Sequence, residues 1–231
     1  RRNGYVFQEA SLFDHLNVRE NLRFGLKRIS DEDGEKRLDD AVELLGIGHL
    51  LERRTSELSG GERQRCAIAR SLAIKPTALF MDEPLAALDH ARRLEIVPWI
   101  DRLKKELNLP ILYVTHSEEE VMRLADRLAV IDNGKLIDNG PVAETWLHLM
   151  QKKGRKASRL LLVMGTVEER DSAWSLMKVV SGAMHFWVRD TGAVIGSLVR
   201  LMVNADDVSL SVTKPSQTSI QIVFPCTVAA I

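Results

Sequence analysis

The hydrophobic pattern alternates between short β-rich runs and longer stretches with helical spacing from the start of the chain to about Met150. The runs 78–81 and 111–114 are continuously apolar, which is typical of buried strands in a parallel sheet. Between them, segment 91–107 predicts a helix that Pro98 should kink. Apolar residues recur there at helical spacing: Leu94, Val97, Ile100, Leu103 and Leu107. We therefore predict an α/β fold with parallel strands.

Two local signals refine this prediction. Ser30 is a suitable N-cap for a helix that we predict over 31–45, and Gly46 is a suitable end. The pair Asn133-Gly134 is typical of a tight turn between two strands, and it is flanked by apolar runs. We therefore expect a β-hairpin at that position.

The composition and the hydrophobic pattern of the chain change after residue 150. Segment 151–159 is rich in Lys and Arg and is typical of a solvated linker. Beyond it, segments rich in Val, Leu and Thr recur between turn residues, namely 174–180, 184–188 and 198–203. We predict an α/β domain over 1–150, a linker over 151–159 and a small, incomplete all-β domain over 160–231.

Charge and composition narrow the function classes. The 231 residues include 32 basic and 32 acidic side chains, so there is no overall field to attract nucleic acid, and we expect no nucleic-acid partner. Cys66 and Cys226 lack metal-ligand spacing and do not indicate a disulfide framework, which favours a reducing compartment. No apolar run approaches the roughly 20 residues that cross a bilayer. Any membrane role must therefore come through a partner.

Residues 58–64, Leu-Ser-Gly-Gly-Glu-Arg-Gln, carry a phosphate-binding signal. Ser59 is a suitable N-cap for a helix, and Gly60 and Gly61 let backbone N–H groups approach a phosphate closely. The helix macrodipole adds positive potential at the same place. The pattern predicts a site for a polyphosphate.

The loop that would wrap a nucleotide's β-phosphate is absent from the printed sequence. No stretch fits Gly-x-x-x-x-Gly-Lys-Ser/Thr, because the pair Gly134-Lys135 is followed by Leu136. The chain begins at Arg1 close to a strand-like run and ends at Ile231 inside another. We therefore expect a fragment that holds part of a nucleotide site and turns over negligible ATP by itself.

The acidic pair Asp82-Glu83 follows the apolar run 78–81. This places the pair at the carboxyl end of a predicted parallel strand, where open α/β sheets bind ligands. Asp82 would hold Mg²⁺ through its waters, and Glu83 would polarise the water that attacks the γ-phosphate of ATP. The alternative is an acidic turn that caps a helix, and segment 58–64 upstream favours the catalytic interpretation.

Three further polar residues are candidates for the site, and each could instead have an ordinary structural role. His116 follows the run 111–114 and could reach the γ-phosphate or cap the next helix; its place after a second strand of the same sheet favours the former. Gln8 could offer its amide oxygen to Mg²⁺ or to the attacking water, or be an ordinary strand-end residue, and spacing leaves both open. Asp89 could simply cap the helix that begins near Ala91.

Together these motifs resemble the ATP-binding subunit of ABC transporters. In the order of that family, the matches are the Q-loop at Gln8, the signature at 58–64, the Walker B pair Asp82-Glu83, the D-loop at 87–89 and the H-loop at His116. The resemblance implies a P-loop-type ATPase domain whose Walker A segment would precede Arg1. It also implies a homodimer in which each ATP lies between the P-loop of one subunit and the signature helix of the other.

The resemblance further implies roles for individual residues. Contacts with the nucleotide are implied for Ser59, Gly60, Gly61, Glu62, Gln64, Asp82 and Asp89. Catalytic roles are implied for Glu83, His116 and Gln8, with Asp82 and Gln8 near the metal. The implied cofactors are ATP and Mg²⁺.

Other segments are similar to the ATPase subunits of molybdate importers. These segments are 12–22, 92–100 and 110–117, together with 204–210 and 218–220, which resemble the carboxy-terminal Mop/TOBE domain of that subunit. The similarity implies a subunit that energises molybdate uptake through an integral membrane permease, docked near residues 8–23. It would lie on the cytoplasmic face of the inner membrane, and a substrate-binding protein would act indirectly.

Departures from this pattern keep alternatives open. Gln221-Ile222 stand where the β domain usually has Arg-Asn, and Pro225 interrupts the next strand pattern. Loss of those donors weakens an oxyanion pocket, so a regulatory or dimer-packing module is the alternative for this domain. For the whole protein, the alternatives are another cargo (sulfate, polyamine, sugar or ferric iron), a non-transport ABC ATPase, or a truncated product without catalysis.

Overall fold

The computed structural model describes residues 2–26, 33–107, 109–153, 160–213 and 222–227. Contacts within the chain define two compact units, Arg1–Ala125 and Asp126–Ile231, and each is described by itself. The first unit contains every candidate site residue predicted from the sequence, from Gln8 to His116.

The first unit combines a parallel sheet with helices, as predicted. Its strands are β1 Asn3–Val6, β2 Ala78–Asp82 and β3 Ile111–Val114. Its helices are α1 Val18–Arg23, α2 Gly34–Leu45, α3 Gly60–Ala73, α4 His90–Leu107 and α5 Glu118–Leu124. The strands pair in the order β1-β2-β3, and both pairings are parallel.

The two predicted strands differ in burial. In β2, Leu79 and Met81 are buried in the core. The prediction that 111–114 is a buried strand is wrong for Leu112 and Val114, which are exposed. The reason is that Leu112 and Val114 lie on the face of the sheet that also carries the exposed Tyr5, whereas Ile111 and Tyr113 lie on the other face and pack against the core.

Helix α3 lies at the centre of the first unit. It packs against β1, α1, α2 and α4. Its buried apolar side chains include Cys66, Ala67, Ile68, Ala69, Leu72 and Ala73. Because these side chains anchor α3 in the core, its first residues have a fixed position relative to the sheet.

The helices on either side of α3 follow the sequence signals closely. Helix α2 ends at Leu45, and Gly46 adopts a left-handed conformation with φ 61°. A Cβ on Gly46 would lie 2.9 Å from the ring of Trp99, so glycine is needed there for two reasons. The predicted N-cap Ser30 lies outside the described residues. Helix α4 spans the predicted segment and contains Pro98.

The second unit begins with a hairpin and a helix. Its elements are β4 Arg127–Asp132, β5 Lys135–Pro141, α6 Val142–Lys153, β6 Leu160–Asp171, β7 Leu176–Ser181, β8 Met184–Arg189 and β9 Leu198–Asn204. The β4–β5 turn has positive φ at Asn133 (46°) and Gly134 (73°), as a two-residue hairpin turn of this kind requires. The predicted hairpin is confirmed.

Strands β6 to β9 form an antiparallel sheet in the order β8-β7-β6-β9. The predicted strand over 174–180 begins later, at Leu176, because Asp171 accepts hydrogen bonds from the backbone of Ala173 and Trp174 and holds a turn there. The first three residues of the predicted linker, 151–153, are helical. The rest of the linker and 218–220 lie outside the described residues, and the division into domains stays a prediction.

Candidate nucleotide site

The carboxyl edge of the parallel sheet brings Glu83 and His116 together. Asp82 is the last residue of β2, and the backbone N–H of Glu83 donates to the carbonyl of Val114 at 2.9 Å. His116 lies just beyond β3, and its Nδ1 is 2.7 Å from Glu83 Oε1. The sheet register therefore joins two candidate catalytic residues that lie 33 positions apart in the sequence.

The backbone of Glu83 is held in an unusual conformation. Its φ is 44°, in the left-handed region that a residue with a side chain rarely adopts. Such a conformation costs about 1–3 kcal/mol and persists where neighbouring structure fixes it. Here the hydrogen bond to Val114 fixes one side, and the N–H of Ala86 donates to the Glu83 carbonyl at 3.1 Å on the other. This geometry sets the direction of the carboxylate.

The Glu83–His116 contact also determines where one proton lies. A carboxylate can only accept, so Nδ1 of His116 carries the proton in this hydrogen bond. The other ring nitrogen, Nε2, remains available for a ligand. The His116 side chain is 74% exposed and that of Glu83 is 26% exposed, so the imidazole is the more accessible partner.

A partly buried hydrogen-bond network lies next to His116 and is centred on Glu120. The carboxylate of Glu120 accepts hydrogen bonds from the hydroxyl groups of Tyr113 and Thr115, at 2.9 Å and 2.8 Å. Burial, and then the charge of Glu120, raises the pKa of Tyr113. Sequence reasoning missed Glu120, because an acidic residue in the first turn of a helix is favoured there in any case. The polar residues Tyr113 and Thr115, spaced by two along an apolar strand, were the available signal.

Asp82 and Gln8 lie at the same edge of the sheet. Asp82 ends β2, Gln8 follows β1 in a turn, and both are exposed. Because β1 and β2 are parallel neighbours, the two residues emerge at the same edge. Carboxylate and amide oxygens suit Mg²⁺, so the residues present fit that ion. Their contacts with a metal stay a prediction.

The start of α3 is fixed by a reciprocal cap. The Ser59 hydroxyl accepts from the Glu62 N–H at 3.3 Å, and the Glu62 carboxylate accepts from the Ser59 N–H at 2.7 Å. The predicted N-cap is thus confirmed. The hydrogen bond from the Ser59 N–H lowers the pKa of Glu62. Because its carboxylate is committed to the cap, a contact of Glu62 with a nucleotide stays a prediction.

The helix start fits a phosphate group. Among the described residues, the N–H groups of Gly60 and Gly61 have no hydrogen-bond partner, as expected for the first positions of a helix. Ser59 is exposed, and its hydroxyl accepts in the cap but keeps a proton to donate. These donors converge at a positive helix end, where phosphate oxygens bind well.

A cavity of about 390 Å³ opens beside this helix start. Its lining includes Ser59, Arg65, Arg92 and Trp99. The Arg65 guanidinium lies 5.7 Å from the Trp99 ring centroid and donates to the Leu45 carbonyl at 3.1 Å. The lining also contains Glu62 and Glu95, so the two arginines are balanced by two carboxylates, and the guanidinium groups supply donors for a phosphate rather than a net positive charge. Sequence reasoning missed Arg65 and Arg92, because nothing in their spacing distinguishes them from other surface basic residues.

Two predicted site residues make internal contacts instead. The Gln64 side chain is buried, and its Nε2 donates to the carbonyl of Phe7 at 3.4 Å. Asp89 accepts from the N–H of Arg92 at 3.0 Å and so caps the start of α4, the alternative considered from the sequence. Contacts of Gln64 and Asp89 with a nucleotide stay predictions, and for Gln64 the side chain would have to leave its present position.

Two kinds of feature are absent from the described part of the chain. None of its helices is both long enough and apolar enough to span a bilayer. Nor does it hold a group of three or more His, Cys, Asp and Glu side chains able to bind a metal ion by themselves. A magnesium ion at Asp82 would therefore need other ligands, such as water or phosphate.

Comparison with known proteins agrees with this geometry. Residues 1–86 match the ABC transporter family. The chain is 52% identical over 221 residues to the molybdenum import ATP-binding protein ModC of Methylococcus capsulatus, which covers 94% of this chain. It is 48% identical over 227 residues to the ModC protein of Thiobacillus denitrificans, which covers 97% of this chain. The chain spans 61% and 62% of the length of these two relatives.

A solved structure is similar in fold. It is described as cbiO1 from Clostridium perfringens, part of the ABC transporter complex cbiONQ. The TM-score is 0.58 at 33% sequence identity, and the match covers 65% of this chain and 62% of that one. The chain is therefore similar to the ABC transporter family over residues 1–86 and to molybdenum import ATP-binding proteins over nearly its whole length.

Proposed function

We propose that the protein is the ATP-hydrolysing subunit of a molybdate importer. The observation that carries the proposal is the contact between Glu83 and His116 at the carboxyl edge of a parallel sheet. In the same unit, Gly60 and Gly61 present N–H groups at the start of α3 that have no partner within the described ranges. The names of the relatives, which specify molybdenum import, support the choice of cargo.

The roles of the edge residues follow from their chemistry. Glu83 accepts a hydrogen bond from the attacking water and increases its nucleophilicity, because its carboxylate is oriented by the backbone and by His116. His116 lies where it can reach the γ-phosphate. It donates to a phosphate oxygen from Nε2 in the imidazolium form, in which Nδ1 still donates to Glu83. Asp82 would hold Mg²⁺ through its waters, and Gln8 would offer its amide oxygen to the ion or to the attacking water. When bound, Mg²⁺ supplies positive charge that offsets the charge of the phosphates.

The start of α3 acts on ATP held by a second copy of the chain. Ser59 is exposed, so the donors of the helix start can be reached from outside the unit. Ser59, Gly60 and Gly61 donate to the γ-phosphate, and Arg65 offers further donors nearby. Because ATP then bridges two subunits, ATP binding favours the closed homodimer, and ATP hydrolysis lets the homodimer open.

The segment around α1 docks on the integral membrane permease. Asn21 is fully buried and braces this segment through its side chain, which accepts from the N–H of Phe13 at 2.8 Å and donates to the carbonyls of Phe13 and Leu16. A loop held in this way is rigid enough to transmit movement. We place the subunit on the cytoplasmic face of the inner membrane, with a substrate-binding protein acting indirectly.

The second unit contains a Mop/TOBE-like module. Its antiparallel sheet of β6 to β9 supports an all-β module of regulatory or packing function. An oxyanion site in this module is not part of the proposal, because Gln221-Ile222 stand where donors would be needed. For the β domain we therefore propose a regulatory or packing role without an oxyanion site.

Growth and hydrolysis test the proposed function. The full-length gene should restore growth of a molybdate-uptake mutant at low molybdate, and the Glu83→Gln gene should not. The purified full-length product should hydrolyse Mg-ATP. If the gene restored uptake of sulfate, polyamine, sugar or iron but not uptake of molybdate, the assignment of molybdate as the cargo would be wrong. Absence of ATP hydrolysis in the presence of its permease would overturn the enzyme assignment.

A further inference from the structure

The segment that carries His116 is held by side-chain hydrogen bonds to the buried carboxylate of Glu120. Glu120 is only 5% exposed, and a single oxygen of its carboxylate, Oε2, accepts from both Tyr113 and Thr115. Tyr113 belongs to β3, whereas Glu120 lies in the first turn of α5. A buried carboxylate is tolerated when donors satisfy it, and these two hydroxyl groups do so.

Both neighbours of His116 take part in this network. The Thr115 hydroxyl donates to Glu120 and accepts from the backbone N–H of Ser117 at 3.0 Å. The Ser117 hydroxyl accepts from the backbone N–H of Glu120 at 3.4 Å. The imidazole of His116 is itself largely exposed, so its position depends on the backbone that these contacts hold.

We propose that Glu120 is a positioning residue for ATP hydrolysis, because it anchors the backbone on both sides of His116 and so keeps the imidazole against Glu83. This inference rests on the proposed function of the Glu83–His116 edge. Loss of the Glu120 carboxylate leaves two partly buried hydroxyl groups without their acceptor, and rotation of Thr115 then releases Ser117. A displacement of about 1 Å at a reacting group can cost about 100-fold in rate.

The network is built to keep one protonation state. Burial and the Glu120 charge raise the pKa of Tyr113, so its hydroxyl stays a donor throughout the usual pH range. Both donors reach the same carboxylate oxygen. The amide oxygen of a glutamine can therefore take both hydrogen bonds without the charge. A glutamine variant therefore separates the geometric role of Glu120 from the effect of its charge.

The kinetic test compares three variants of the full-length gene product. Glu120→Ala should lower kcat for ATP hydrolysis by about 10-fold to 100-fold and change KM for ATP by less than about twofold. Glu120→Gln should restore kcat to within about threefold of the parent, because the amide oxygen replaces Oε2. Glu118→Ala is the matched control in the same helical turn and should leave kcat unchanged. An Ala variant with the parent's kcat, or a Gln variant as slow as Ala, would refute the positioning role.

A spectroscopic test does not depend on hydrolysis. The ¹⁵N signals of the His116 ring report the Nδ1 hydrogen bond to Glu83 in the absence of nucleotide. Glu120→Ala should remove that signature, and Glu120→Gln should keep it. Tyr113→Phe deletes one donor with little loss of packing, so it provides a second test if the Ala variant does not fold. This variant should weaken the signature. Unchanged His116 signals in Tyr113→Phe and in any folded Glu120→Ala would overturn the inference.

The two tests also separate this inference from the proposed function. If the parent protein does not hydrolyse ATP but its His116 signals respond to Glu120→Ala, the proposed function fails and the network still positions His116. If the parent hydrolyses ATP and the Glu120 variants match it, the proposed function stands and the inference is wrong.

Discussion

Gly60 approaches Leu88 so closely that a Cβ on the glycine would lie 2.7 Å from Leu88 Cδ2. This contact joins the first residue of α3 to the segment that precedes Asp89, so two sequence motifs meet inside one unit. Gly61 is less restricted, because the nearest atom to its added Cβ is Ile96 Cδ1 at 3.2 Å. The glycines therefore serve internal packing as well as access to a phosphate.

Gly60→Ala should lower the free energy of unfolding by about 1–2 kcal/mol, because the buried Leu88 must move to make room. Gly61→Ala should be nearly neutral, because a small shift of Ile96 is offset by a gain in helix propensity of up to about 1 kcal/mol. Gly48→Ala is the control, since its nearest neighbour would be at 3.8 Å. Urea unfolding of the full-length gene product measures all three, and equal stabilities for the Gly60 and Gly48 variants would contradict the packing role.

Glu83→Gln in the full-length gene product should keep ATP binding but lower multiple-turnover hydrolysis by about 100-fold or more, because the amide is a poor general base. ATP should then favour the closed dimer, which size-exclusion chromatography can detect. Glu118→Gln is the control. Steady-state hydrolysis at the parent's rate would show that Glu83 is not the base.

Gln64→Ala separates packing from nucleotide contact. Because Gln64 is buried and donates to the Phe7 carbonyl, we expect a loss of about 1–2 kcal/mol in stability. The KM for ATP should change by less than about twofold if the side chain keeps its internal position. Stability comes from urea unfolding and KM from steady-state ATP hydrolysis. A large rise in KM with unchanged stability would instead place Gln64 at the nucleotide.

Burial raises the pKa of the Cys66 thiol from 9.0 to about 12. The thiol should therefore resist iodoacetamide at pH 8 until the protein unfolds, whereas the exposed Cys226 reacts in the native state. Peptide mass mapping reads both sites, and rapid native labelling of Cys66 would contradict the buried position.

The same pKa shift predicts a pH dependence of stability. Because the thiol of the unfolded chain ionises first, its contribution to stability is fully present below pH 9 and is lost as pH rises toward about 12. Cys66→Ala should lack this component of the alkaline loss. The free energy of unfolding of parent and variant should be measured at several pH values across that range. If it fell equally with pH in both, Cys66 would make no such contribution.

Local sequence signals predicted several elements well, because the relevant interactions are local. Ser59 caps α3, and Gly46 ends α2. Asn133-Gly134 makes the β4–β5 turn. The same reasoning overstated the burial of β3, because an apolar run does not reveal whether both faces of its strand are covered.

The sequence by itself determined the parallel α/β layer, the capped glycine-led helix and the acidic pair after β2, since caps, turns and hydrophobic periods act over a few residues. Only the tertiary structure decided that Glu83 meets His116, that Gly60 packs on Leu88, and that Glu120 is buried beneath the His116 segment. These relationships depend on strand register and on helix packing between distant parts of the chain. Local sequence pattern does not encode which distant side chains come within a few ångströms of each other.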